Sequence, residues 1–135
     1  MKIDASLIKN ADSAIKKAEI VNAQGLYDKV FKGYISSFGA SITQAGLIPT
    51  IIFFEAKSEQ AKDRPKVIDA LKLMLDDEYQ VDSLAKYLLT KRKDGEESFK
   101  AEERQLLKKI TTAMVAIKLA LRMYKEKENK KNDNG

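Results

Sequence analysis

Residues 33–57 read GYISSFGASITQAGLIPTIIFFEAK and hold the densest apolar material in the chain, concentrated between Leu47 and Phe54. The run is too short to span a bilayer, which takes about 20 apolar residues. A helix that is apolar on every side is instead enclosed by other elements. Gly39 and Gly46 punctuate the stretch, and Pro49 follows closely after Gly46. Proline is tolerated in a first helical turn, where its missing N–H would have had no partner anyway. The pattern therefore predicts a turn at Ala45-Gly46 and then a buried helix over 47–57, around which the other helices pack.

Working outward, 135 residues make one domain, long enough to bury about 70% of its unfolded surface. A hydrophobic content of 44% with 33% charged residues fits a folded, charge-coated protein rather than a disordered or fibrous one. The chain has no cysteine, which excludes disulfides, thiol nucleophiles and thiolate metal sites. It also has no histidine, which removes the commonest general base and the commonest metal ligand together. The opening MKIDASLIKNADS lacks the apolar segment of a secretory signal, so a cytoplasmic location is expected. Net charge is +5, and residues 100–135 alone carry a surplus of that size. A local basic element, not a generally basic protein, is what needs a function.

Upstream of the central stretch, Leu7, Ala11, Ala14, Ile15, Ala18 and Val21 recur at helical spacing. They predict a first helix over 5–24, capped by Asp4 and stopped by Gly25. Lys9, Asp12, Lys16 and Glu19 share the opposite side and read as a solvated face of mixed sign. A second helix is expected over 26–37. Tyr27 and Tyr34 within it are candidate base-stacking platforms, but their spacing among apolar residues favours a place in the core.

Downstream, residues 58–64 read as an exposed loop and Pro65 as the opening of a helix to Leu75. Asp76, Asp77 and Glu78 are hard oxygen ligands of the kind magnesium or calcium takes. They lack the alternating spacing and the glycine of a calcium loop, and read as a solvated helix end; no metal and no other cofactor is expected. A further helix over 81–91, with Asp82 at its start, ends in Lys91-Arg92-Lys93 before the turn signal Asp94-Gly95. Two readings of that cluster stay open: cations opposing the negative end of a helix dipole, or a patch for phosphates.

The last helix, expected to be capped by Ser98, repeats Leu107, Ile110, Met114, Ile117, Leu121 and Tyr124 on a packed face. Beside that face Arg104, Lys108, Lys118, Arg122 and Lys125 fall within about 100° of arc at 100° per residue, and no acidic residue between Arg104 and Lys125 joins them. Solvated faces usually mix signs, so a contact with a polyanion is the preferred reading and a solubilising stripe the alternative. From Lys127 the chain is polar and unanchored, which predicts a disordered tail over 127–135 after a helical domain over 1–126. The fold expected is an all-α, single-domain bundle of about five to six helices. No paired carboxylates in an apolar pocket, no phosphate loop and no dinucleotide fingerprint are visible, so a binding or assembly protein is expected, not an enzyme.

Ile42, Gly46, Leu47, Ile51, Phe53, Phe54, Ala56 and Lys57 carry a further signal. Their pattern resembles the small subunit of the Cmr (type III-B) CRISPR effector complex. The length, the helical pattern and the amphipathic last helix agree with that family along most of the chain. The chain departs from it at Phe38-Gly39, where Leu-Pro is more usual, and at Ala45, where asparagine is. The resemblance implies a non-catalytic helical subunit that stacks in several copies as an inner filament. Its partners would be other Cmr subunits, further copies of itself and the guide RNA–target RNA duplex, with no membrane contact.

In such complexes base pairing reads the sequence and protein supplies a charged channel. The residues then expected on the RNA-facing surface are Lys91, Arg92, Lys93, Arg104, Lys108, Lys118 and Arg122. Two alternatives remain: a helical protein–protein scaffold without nucleic-acid contact, and the equivalent small subunit of a type III-A (Csm) complex.

Overall fold

The computed structural model describes residues 2–94 and 96–128. Among them are six helices: Ala5–Lys17 (α1), Val30–Ala45 (α2), Leu47–Glu55 (α3), Pro65–Leu73 (α4), Leu84–Asp94 (α5) and Glu96–Leu121 (α6). Two short strands, Leu26–Tyr27 (β1) and Lys125–Glu126 (β2), pair in parallel. The architecture is the all-α bundle the sequence predicts. α3 packs on α2, α4 and α5, and the longest helix, α6, packs on α1, α2, α4 and α5. No helix of the described residues is long and apolar enough to cross a membrane.

Asp4 caps α1 as expected, its Oδ1 accepting from the Leu7 N–H at 2.9 Å. The helix stops at Lys17, however, and does not run to Gln24. The Glu19 N–H donates to the Lys16 carbonyl at 3.1 Å and the Ile20 N–H to the Ile15 carbonyl at 2.9 Å. That pair of bonds closes a helix through a left-handed residue, and Glu19 has φ 62°. Ile20 and Val21 thereby turn into the core. Gly25, expected to stop the helix, has φ 75° and serves the turn that follows. That turn is held by Asn22, whose side chain accepts from the N–H groups of Gln24 and Leu26, each at 3.0 Å.

The second helix begins at Val30, not Leu26, because the Asp28 side chain accepts from the Val30 N–H at 3.0 Å. Leu26 and Tyr27 are extended and pair with Lys125 and Glu126. α2 then continues through Gly39 to Ala45, past the expected end at Ser37. Gly46, with φ 94°, makes the predicted turn into α3.

α3 buries Leu47, Ile48, Thr50, Ile51 and Phe54. It is not enclosed on every side: Ile52 and Phe53 remain 47% and 52% exposed. The Arg64 guanidinium lies 4.0 Å from the centre of the Phe53 ring. Thr50, wholly buried, is paired with the Ser41 hydroxyl at 2.7 Å, which satisfies it and ties α3 to α2.

At the end of α3, the Glu55 carboxylate accepts from the Ser83 hydroxyl at 2.9 Å and from the Leu84 N–H at 2.6 Å. α5 is therefore capped by Ser83 and by a carboxylate from another helix, not by Asp82. Pro65 opens α4 as expected, and that helix ends at Leu73. α6 starts at Glu96, so Ser98 lies inside it and does not cap it as the sequence suggests. Of the expected tail, residues from 129 onward lie outside the described part; the Lys127 N–H donates to the Tyr27 carbonyl at 2.8 Å.

Candidate nucleic-acid interface

The seven basic residues singled out in the sequence fall in two places. The first is the corner between α5 and α6. There the Lys91 ammonium is 3.2 Å from Glu102 and 3.7 Å from Glu78, and the Arg92 guanidinium is 3.1 Å from Glu103. The hydrogen bond to Glu102 is the main cause that raises the Lys91 pKa above its ordinary value. The side chain of Lys93 lies outside the described residues. These carboxylates explain why the corner presents less positive charge than its sequence suggests.

The second place is the length of α6. Arg104, Lys108 and Lys118 are exposed on it and Arg122 is exposed just past its last residue, at positions that a straight helix brings onto one stripe. Lys125 leaves the stripe, because the helix ends at Leu121 and Lys125 belongs to β2. Arg104 borders a recess with Leu47, Lys100, Glu103 and Leu107. Lys118 and Arg122 have no carboxylate within ion-pair distance among the described residues. Their next neighbours are α2 and the aromatic rings at the base of the strand pair.

Between α2 and α6 lies a trough of two depressions that share Ile35, Ser36 and Lys118. One, of about 490 Å³, runs to Tyr27, Lys32 and Arg122. The other, of about 270 Å³, runs along Gly39, Thr43, Thr111 and Val115. No carboxylate lines either depression among the described residues. Lys32 at the rim is paired with Glu126 at 3.0 Å. The α2 side of this trough was not singled out in the sequence. Its signal is Ser36, Gly39 and Thr43, small residues at three- and four-residue steps.

Tyr27 is buried, so it belongs to the core and not to a stacking surface. Tyr34 is half-buried, with its ring 5.9 Å from that of Phe31 in an edge arrangement. In the acidic cluster, Asp76 is paired with Lys109 at 3.0 Å, and Glu78 accepts from the Tyr87 hydroxyl at 2.8 Å. On the mixed-sign face of α1, Asp12 accepts a hydrogen bond from the Tyr124 hydroxyl and pairs with Lys16 at 3.2 Å. The Tyr124 bond is the main cause that holds the Asp12 carboxyl below its ordinary pKa, with Lys16 adding to it.

No curated protein and no solved structure matches the chain. A family model described as CRISPR-associated protein (Cas_Cmr5) matches residues 8–125. That span covers every helix and both strands except the first residues of α1 and the last of β2. The chain therefore belongs to the Cmr5 family, the small subunit of the type III-B CRISPR effector complex.

Proposed function

We propose that this chain is the non-catalytic small subunit that lines the RNA path of a Cmr complex, stacking in copies and holding target RNA along the guide through α6. The observation that carries the reading is the exposed stripe of Arg104, Lys108, Lys118 and Arg122, whose last two members have no carboxylate partner among the described residues. Cations in that state can neutralise phosphates, release counterions and so bind RNA without reading its sequence. Lys91 and Arg92 are ion-paired within the chain and contribute less, because RNA has to compete with Glu78, Glu102 and Glu103. The absence of histidine and cysteine supports a subunit that binds and does not react. Copy-to-copy and backbone-subunit contacts use other faces, and the exposed pair Ile52 and Phe53 on α3 has the apolar character such a contact takes.

The test is to reverse Lys118 and Arg122 together to glutamate within the assembled complex. Target-RNA affinity should fall while the thermal unfolding of the isolated subunit stays unchanged. Unchanged RNA affinity would sink the assignment of α6 as the RNA face. A protein–protein scaffold would then be the better reading, and Ile52 and Phe53 are the observation that favours it.

A further inference from the structure

We infer that the trough between α2 and α6 seats the base and sugar of an unpaired RNA nucleotide whose phosphate is held by Lys118, so that this subunit binds single-stranded RNA in preference to duplex. The inference rests on the proposed RNA contact of α6 and names the form of RNA it takes. Gly39 is the starting point. It stands in the interior of α2, where glycine weakens a helix relative to alanine. Its backbone is not in the left-handed region that would require glycine, and a Cβ built on it meets nothing within 4 Å. Neither backbone geometry nor close packing accounts for it. What the missing side chain provides is open space in the floor of the trough.

The chemistry of the lining fits a nucleotide. Ile42 and Val115, both half-buried, offer aliphatic surface to the face of a base. Ser36 and Thr43 offer hydroxyls that can donate to or accept from base edges and a ribose 2′-hydroxyl. Lys118 stands where the two depressions meet, and Arg122 lies along the larger one. A cationic rim without a lining carboxylate, among the described residues, selects an anionic occupant. The shallow apolar floor suits a planar base better than the bulky side chains of a docking helix. Bases stacked and paired in a duplex cannot enter, whereas splayed single-stranded bases can.

The two halves of the proposal can be separated by salt. Phosphate contacts set the slope of log affinity against log salt, about 0.7 per phosphate for a single strand. Seating of a base shifts affinity without changing that slope. The probe is a uridine oligonucleotide, alone and paired to its complement, titrated against the full-length subunit at several salt concentrations. Gly39→Gln fills the trough, adds no charge and is the better helix former, and Gly39→Ala controls for helix propensity alone. Gly39→Gln should weaken single-strand binding about tenfold, the scale of one lost base contact. The slope should not move, Gly39→Ala should bind like the parent, and duplex binding should be weaker and indifferent to both substitutions.

If Gly39→Gln leaves single-strand affinity unchanged while Lys118→Glu with Arg122→Glu lowers it, the trough inference falls and the RNA contact of α6 stands. If the double reversal also has no effect, the RNA contact itself falls. If a polyglutamate peptide binds in a way that Gly39→Gln abolishes and the oligonucleotide does not, the trough belongs to an acidic protein segment and the inference is overturned.

Discussion

The corner between α5 and α6 and the C-terminal half of α6 carry the same kind of side chain and end in opposite states. Lys91 and Arg92 sit next to each other in sequence, and their sequence neighbours alone advertise a phosphate patch. Folding brings Glu78, Glu102 and Glu103 against them from α6 and from the turn before α5. Lys118 and Arg122 are further apart in sequence, but the helix brings them onto one stripe beside an uncharged trough. Availability of a cation is a property of the neighbours that the fold supplies, not of the run in which it is written. Exposed ion pairs such as those of the corner are each worth about 0–1 kcal/mol. That is enough to bias an encounter with RNA and too little to forbid one.

The comparison can be broken by experiment. The largest effect is expected from Lys118→Glu with Arg122→Glu, which should lower RNA affinity by at least about tenfold. It should also flatten the salt dependence by about 0.7 per phosphate lost. Equal losses from reversing Lys91 and Arg92 would erase the distinction between the two regions. Next is Glu55→Ala, which removes the tertiary cap that fixes α5 in the corner. Loss of about 1–2 kcal/mol in denaturant unfolding is expected, in the range of lost helix caps, with RNA affinity unmoved.

Glu102→Gln with Glu103→Gln should release Lys91 and Arg92 and raise RNA affinity severalfold, turning the closed region into an open one. No gain would show that the corner faces away from RNA. Lys91→Ala should change RNA affinity least and leave thermal unfolding close to the parent's. The smallest effect is on pH. Asp12 has a lowered pKa in the folded state, so its share of stability is complete above its ordinary value of 3.8 and is lost as pH falls through the lowered one. Asp12→Asn should therefore lower stability slightly at neutral pH and remove the acid-dependent loss, so that variant and parent converge as pH falls below that value.

The helices were legible in the sequence because their apolar residues recur at helical spacing, and Gly46 and Pro65 mark real boundaries. Three of the boundaries that differ from the helical pattern are set by contacts that the pattern does not register. The stop of α1 uses a glutamate in the left-handed region, driven by the burial of Ile20 and Val21. β1 needs a partner strand almost a hundred residues away. α5 takes its cap from Glu55 on another helix.

The stripe on α6 was legible for the same reason as its packed face, since both obey one helical period. The ion pairs of the corner were not, because Glu78 and Glu102 reach Lys91 only through packing. The trough was missed because half of it is α2, whose small residues look like nothing in particular until a second helix lies beside them. The composition of α3 predicts a helix enclosed on all sides, and only the fold reveals that Ile52 and Phe53 are left uncovered.

The Glu55 cap has a kinetic consequence. Its carboxylate serves an N–H 29 residues further along, so α5 has only its local Ser83 cap until α3 has docked. The two helices should then open together as one cooperative unit in native-state hydrogen exchange, although a loop and α4 separate them in the chain. Amides of α5 should exchange no more slowly than those of α3, and Glu55→Ala should uncouple the pair, letting α5 exchange by local opening while α3 keeps its protection.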